Sequence, residues 1–172
     1  MILENIERGT RVFIDSNIFI YHFTGASDAC SNFLSRCEQG DISGITSHHV
    51  YLEVLHRLMM IEAVRKEIIR PPNIAKKLKD RPEKIRLLDE YFMNAQKIPA
   101  MGITVRPVPF ETIVKSQAIR ASYGLMVNDS LIIAGMHAEG IKTLATNDEQ
   151  FSRVDGLFIY KPHDVKISDS SA

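Results

Sequence analysis

Four carboxylates stand where they could do chemistry: Asp15, Glu53, Asp129 and Asp148. Asp15 closes the run Val12-Phe13-Ile14, a short β-branched and aromatic stretch that reads as a strand buried on both faces. Glu53 lies two turns into a helical pattern that comes after Ser47. Helical side chains lean back towards the N-terminus, so its carboxylate can point at the sheet end of that helix. Asp129 falls in the first turn of a helix expected to open at Asn128, and Asp148 comes just after a strand candidate from Thr143 to Thr146. The C-terminal ends of parallel strands are where α/β sheets place their ligands, so four acids from four distant places are expected to converge on one sheet edge. Like charges packed together are costly unless a cation neutralises them. Carboxylate oxygens with room for water suit Mg²⁺ or Mn²⁺ rather than zinc, and clustered carboxylates with divalent ions are a usual means of activating water against a phosphodiester. Taken alone, Asp15 could equally do no more than cap the next helix, since Asp, Ser and Asn are all good N-caps.

The elements that must position these acids can be read from pattern and punctuation. After the first strand and a short apolar helix, Ser27-Asp28 has the form of an N-cap, and the helix it opens buries Phe33, Leu34 and Cys37 before Gly40 stops it. Ile42 to Thr46 is a second strand candidate, and the long helix after it is apolar on more than one face. Pro71-Pro72 breaks the pattern, with restarts expected at Asn73 and Pro82. Ile85, Leu87, Leu88, Tyr91 and Phe92 are assigned to the buried side of the later helix, and the region of about 61–99 reads as a helical hairpin added to the sheet. Ile103 to Pro107 and Leu157 to Tyr160 are further strand candidates. The helix from Glu111 ends at Tyr123, with Gly124 as its C′ residue. Strands alternating with helices predict three layers, α/β/α, around a central parallel sheet of about five strands. A single domain is expected over 1–165 with a flexible tail at 166–172, the polar run from Lys161 onwards reading as frayed.

The chain has 172 residues, 45% apolar and 24% charged, as expected of an ordinary globular protein. No apolar run approaches the ~18 residues of a membrane span. The opening Met-Ile-Leu-Glu-Asn-Ile-Glu-Arg has no signal-peptide layout. Cys30 and Cys37 lie seven residues apart in one helical pattern, about 10 Å along its axis, too far for a disulfide. A reduced, cytoplasmic setting is the expectation. Net charge is zero but unevenly spread. Glu62 to Arg86 holds nine bases against four acids, +5, which leaves −5 in the remainder. Within that segment Lys76, Lys77, Lys79 and Arg81 are candidates for holding a phosphate backbone, the alternative being a solvated helical surface.

Four pieces of the chain carry a resemblance: Phe13-Ile-Asp15-Ser-Asn17-Ile, Ser47-His-His-Val-Tyr-Leu-Glu53-Val, Asn128-Asp129-Ser-Leu-Ile-Ile-Ala and Leu144-Ala-Thr146-Asn147-Asp148-Glu-Gln-Phe151. In that order they resemble the PIN domains, the nuclease family that includes the VapC-type toxins of toxin–antitoxin pairs. The resemblance spans nearly the whole chain. It implies metal-dependent endonucleolytic cleavage, most often of RNA, at a site made of Asp15, Glu53, Asp129 and Asp148, with Asn17 and Thr146 as supporting polar groups. It also implies Mg²⁺ or Mn²⁺ as cofactor, and RNA, a cognate antitoxin protein and a second copy of the chain as partners. Two features depart from the family pattern: the 61–99 insertion makes the chain longer than a minimal toxin, and neutral charge is unhelpful for RNA affinity.

Rival readings use the same residues. Glu53-Val-Leu-His56 has the spacing of a di-iron helix, but that site needs a second such motif on a four-helix bundle. His48 and His49, at a helix start, pack or face solvent more often than they ligate metal. Ser16 has no general base at readable spacing. An aspartate-dependent phosphatase of the haloacid-dehalogenase type needs a second acid two residues after its first, where this chain has Asn17. A response-regulator receiver needs an acidic pair and a late lysine, and neither is clear. A PIN-like module that binds RNA or protein without cutting is the remaining alternative. Four intact acids speak against it, since a retired site usually loses its costly charges.

Overall fold

Val12, Phe13 and Ile14 are no more than 1% exposed, and burying each such side chain contributes roughly 1.5–3 kcal/mol. They form the central strand β1 (Arg11–Ile14), which pairs in parallel with β2 (Ser43–Ser47) on one side and β4 (Thr143–Ala145) on the other. Beyond these lie β3 (Thr104–Arg106) and β5 (Phe158–Tyr160), giving five parallel strands in the order β3-β2-β1-β4-β5. The chain moves outward from β1 through β2 to β3, then crosses to β4 and β5. The strand order therefore reverses beside β1, and the crevice at that switch point opens at the C-terminal strand ends. The computed structural model describes residues 1–166.

Helices flank this sheet, as the alternating pattern predicts. They are α1 (Ser16–Thr24) and α2 (Asp28–Glu38) before β2, α3 (His48–Arg65) after it, and α8 (Phe110–Tyr123) and α9 (Val127–Glu139) between β3 and β4. Ser27 caps α2, its Oγ accepting from the Cys30 N–H at 3.0 Å. Gly44 in β2 leaves little room for a Cβ, which would lie 3.0 Å from Ile14 Cδ1, 3.1 Å from Ile103 Cγ1 and 3.2 Å from Cys37 Sγ. Cys30 and Cys37 are both unpaired and buried, and burial pushes their thiols up to about 12. Among the described residues no helix is long and apolar enough to cross a membrane.

The inserted hairpin takes the form of four short helices, α4 (Ile74–Lys79), α5 (Pro82–Ile85), α6 (Glu90–Ala95) and α7 (Lys97–Ala100). It begins later than expected, because α3 continues to Arg65 with Glu62 and Ala63 buried. Prolines at 71, 72 and 82 prevent longer helices. The segments pack on α3 through a small cluster of Ala63, Ile69, Leu78 and Leu88. Leu87 and Phe92, expected inside, are 56% and 48% exposed. Short helices that change direction turn only one or two residues each towards α3, so a continuous apolar face is not formed.

Two polar contacts fasten the periphery. Glu62 is 3% exposed, and its carboxylate accepts from Lys66 Nζ at 2.6 Å and from the backbone N–H groups of Asp89, Glu90 and Tyr91 at 3.1, 3.2 and 2.8 Å. Burial pushes this carboxyl up, but those four donors together hold it below its ordinary value. The second contact corrects the expectation of a frayed end from Lys161. Asp164 accepts from Ser27 Oγ and from the N–H groups of Asp28 and Ala29, and the Lys166 N–H donates to Ala26. The open donors at the start of α2 give the chain a partner that a polar composition does not reveal. Apart from Lys166, the tail expected at 166–172 lies outside the described residues.

Glu62→Gln replaces acceptors by an amide that turns a donor towards donors. We expect a loss of about 2 kcal/mol or more in urea unfolding at pH 7. A group whose folded pKa is depressed stabilises above its unfolded pKa and stops doing so as pH falls through the folded one. The gap between parent and variant should therefore close on acidification.

Candidate active site

Asp15 comes directly after β1 and is 6% exposed. It caps α1, Oδ1 accepting from the Ser16 N–H at 2.6 Å, while Oδ2 accepts from Asn17 Nδ2 at 2.7 Å and Thr146 Oγ1 at 2.6 Å. Both readings of Asp15 hold: it is a cap, and it lies at the sheet edge. Thr146, fully buried after β4, also accepts from Asn17 Nδ2 at 3.1 Å and the Asp148 N–H at 3.0 Å. Asn17 Oδ1 accepts from the Asn147 N–H, and Asn147 Nδ2 donates to the Tyr21 hydroxyl. The ends of β1 and β4 are thereby stitched together around one carboxylate. Burial, the larger influence, together with the charges of Glu53 and Asp129 outweighs the hydrogen bonds from Thr146 and Ser16 and raises Asp15 to about 6.

The other acids arrive from three more elements. Asp148 caps the 3₁₀ turn Glu149–Arg153, Oδ1 accepting from the Gln150 N–H at 2.8 Å. Asp129 is the third residue of α9. That helix begins at Val127 with Met126 as N-cap, ahead of the opening expected at Asn128, so Asn128 is already helical and exposed. Burial first, then the charges of Asp148 and Glu53, push Asp129 above its ordinary range, against a backbone contact with Met126. Glu53 is half-buried on the second turn of α3, its Oε1 4.0 Å from Arg57 Nη1. Asp15 thus feels the charges of Glu53 and Asp129, and Asp129 those of Glu53 and Asp148. Among the described residues no three or more His, Cys, Asp or Glu side chains stand close enough to hold a metal ion by themselves.

The insertion's cations are not part of this group. Lys76, Lys77 and Lys79 lie on α4 and Arg81 just after it. Lys77 Nζ donates to the Arg70 carbonyl, and the other three are exposed. Their helix packs near Ala63, ten residues along α3 from Glu53, or about 15 Å of helix. The cation beside the acids is Arg57, absent from the sequence-derived candidates although its i,i+4 spacing from Glu53 is a visible signal. His49, expected only to pack or face solvent, also lies beside them. It is half-buried one turn before Glu53, with Nδ1 2.8 Å from Ser47 Oγ. Burial pushes the ring down to about 4, opposed by a hydrogen bond with the backbone of Asn128.

Comparison with known proteins bears on what such an edge belongs to. The PIN domain model matches residues 12–157, a stretch that takes in all four acids. The chain belongs to the PIN domain family. This PIN domain is 28% identical over 151 residues to ribonuclease VapC2 of Methanocaldococcus jannaschii, covering 87% of this chain and 92% of that protein. It is similar in fold to VapBC2 from Rickettsia felis bound to a DNA fragment from their promoter, with a TM-score of 0.57 at 16% identity over 89% of this chain and 99% of the other. VapC20 of Mycobacterium tuberculosis, a sarcin-ricin loop cleaving toxin, aligns with a TM-score of 0.58 at 14% identity over 85% and 96%. A toxin–antitoxin complex from Klebsiella pneumoniae gives 0.53 at 17% over 90% and 99%.

The raised carboxyls set the pH behaviour of the metal-free PIN domain. Asp15 has its folded pKa near 6 against an ordinary 3.8, so between those values the folded state binds more protons than the unfolded one. Stability should therefore fall as pH rises from about 4 through 6, by on the order of 3 kcal/mol for Asp15 alone. Asp129→Asn removes one charge from the group and should leave the metal-free melting temperature at pH 7 unchanged or higher. A variant melting well below the parent would mean that Asp129 serves α9 as a cap instead.

Proposed function

We propose that this PIN domain is a metal-dependent endoribonuclease hydrolysing RNA phosphodiester bonds, acting as one domain over 1–165, and the toxin of a toxin–antitoxin pair. The observation that carries the reading is the placement of Asp15, buried in its three-donor cradle at the switch point of the sheet, beside acids from other elements. Burial raises Asp15 and Asp129 first, and the charges of neighbouring acids raise them further, with no cation among the causes that would lower them.

The donor set fits Mg²⁺ or Mn²⁺. All four side chains offer oxygen, the donor type these hard cations prefer, and water would have to complete the coordination. Asp15, Asp129 and Asp148 would be the main ligands, with Glu53 holding the ion directly or through water. A bound divalent ion supplies an activated water and neutralises charge on the phosphate. Asn17 and Thr146 keep Asp15 Oδ2 occupied and its orientation fixed, leaving free acceptor capacity on Oδ1. Glu53, on a rigid helix and half-exposed, orients the attacking water.

The RNA backbone would be held by Lys76, Lys77, Lys79 and Arg81, several turns of α3 away from the cut phosphate. A groove of about 1050 Å³ runs between α1, α3 and α6, from Asn147 past Ile20, Phe23, Leu58 and Tyr91. Its lining combines those apolar side chains with charged ones such as Arg57, Arg65 and Glu90, which suits an amphipathic antitoxin segment, and two of the similar folds are of VapBC or toxin–antitoxin complexes. A homodimer completes the proposed partners, and sedimentation velocity reads both assemblies.

Purified protein with Mn²⁺ or Mg²⁺ should cut single-stranded RNA, EDTA should stop it, and Asp15→Asn should lower the rate by about 100-fold or more. Activity surviving exhaustive chelation would overturn the metal mechanism. Changing Lys76, Lys77 and Lys79 together to Gln should raise KM and leave kcat nearly constant, because uniform binding is what was removed. The slope of log affinity on log salt should flatten by about 0.7 per lost contact. An unchanged slope with an altered sedimentation coefficient would assign α4 to a protein interface.

A further inference from the structure

Arg120, on α8, carries a charge that the fold holds in place without neutralising it. Its Nη1 donates to Ser116 Oγ at 2.8 Å and to Ser130 Oγ at 2.9 Å. Both serines are fully buried. Their hydroxyls donate in turn to the carbonyls of Ile113 and Val127, so each oxygen is a fixed acceptor. These bonds join α8 to α9 and set the plane of the guanidinium. The opposite edge is used differently: Nε and Nη2 both donate to a single atom, Gln117 Oε1, at 3.1 and 2.8 Å. Among the described residues no carboxylate lies within 4.0 Å of Arg120.

A fork of two N–H groups is the edge with which arginine grips a carboxylate or phosphate. Here a neutral amide oxygen stands where an oxyanion would make the stronger, charge-assisted bonds. Gln117 is exposed and reaches the fork from its own helix, so an anion from solvent can displace it and leave the buried serines undisturbed. A cation needed only to join α8 to α9 would have no use for this second edge. The surroundings say which anion fits. Ser130, which anchors Nη1, follows Asp129 directly on α9. Arg153 is exposed and also has no carboxylate partner among the described residues. From the turn that Asp148 caps, it approaches the Gly124 carbonyl at 3.5 Å. Two guanidinium groups thus come to the α8–α9 turn from different elements, just ahead of Asp129. A chain of phosphates laid along this edge would meet both.

We propose that the Arg120 fork is a binding site for the backbone of single-stranded RNA, a phosphodiester oxygen taking the place of Gln117 Oε1. The proposal rests on RNA as the substrate class, and the experiment separates the two. Labelled single-stranded RNA is bound to the full chain in EDTA and followed by fluorescence anisotropy over a range of salt. Because Arg120 also joins two helices, the variants are made in its exposed neighbours. Gln117→Glu gives Arg120 an anion of its own, so it should melt no lower than the parent. It should bind RNA about 10-fold more weakly or worse, with the slope of log affinity on log salt flatter by about 0.7. Lys115→Gln changes the net charge of the same helix equally but leaves the fork alone, and should lose much less. Gln117→Ala opens the fork and should bind at least as tightly as the parent. Equal losses in Gln117→Glu and Lys115→Gln would reduce the effect to net charge and overturn the proposal. A Gln117→Glu variant that binds RNA like the parent would overturn it too. An altered sedimentation coefficient in that case would assign the fork to a protein partner, and a lost stabilisation by sodium phosphate would assign it to free phosphate. A parent that binds no single-stranded RNA at low salt would overturn the RNA reading itself, before any variant is compared, and the fork's assignment with it.

Discussion

The structure depends on keeping one carboxylate ionised where burial opposes it. Asp15 is almost sealed from water at the end of the central strand, and desolvation is the largest influence on it. What holds the charge there is a three-donor cradle of the Ser16 N–H, Asn17 Nδ2 and Thr146 Oγ1. Hydrogen bonds to an ionised group contribute roughly 1.5–3 kcal/mol each, enough to keep a carboxyl of this burial ionised at neutral pH. The cradle draws on two strands, so β1 and β4 must be adjacent for it to exist. That adjacency is the switch point of the strand order, and fold and site therefore stem from one constraint.

From that fixed point outward the acids become less rigidly held. Asp148 is tied through its own backbone to Thr146 and so moves with the cradle. Asp129 and Glu53 ride on helices whose starts are set by packing, not by bonds to Asp15. Two carboxylates thus stand on the sheet edge and two on helices, with His49 beside the latter pair.

Much of this is legible in residue order. The strand Val12-Phe13-Ile14 ending in Asp15, the Ser27 cap, Gly124 as a helix stop and the turn after Asp148 all carry local signals that single positions can express. What is not legible is non-local. The Asp164 carboxylate finds the start of α2 from 136 residues away, and nothing in a polar C-terminal run announces it. Leu87 and Phe92 satisfy an apolar pattern but sit on segments too short to present it to α3. The start of the insertion is hidden because Glu62, a charged residue, reads as surface, whereas it is buried as the acceptor that ties α6 to α3. The neighbours of the acids escape notice for a similar reason: Arg57 and His49 matter by their helical phase relative to Glu53.

Charge brings these pieces together. The chain is neutral overall, yet its neutrality is achieved by separation, with +5 in Glu62 to Arg86 and −5 elsewhere. The helix α4 that carries the lysines packs at Ala63, ten residues or about 15 Å along α3 from Glu53. None of these lysines is among the charges that shift Asp15 or Asp129, which burial raises first and neighbouring acids raise further. Arg57 is near enough, but at 4.0 Å and largely solvent-facing it makes a weak pair. His49 is uncharged. Among the described residues the acids are therefore left without a close counter-ion, although the composition contains as many cations as anions. A chain that needed only stability would have placed one of its 21 bases there. On the metal-dependent reading proposed above, a cation from outside would supply the charge that the fold leaves out.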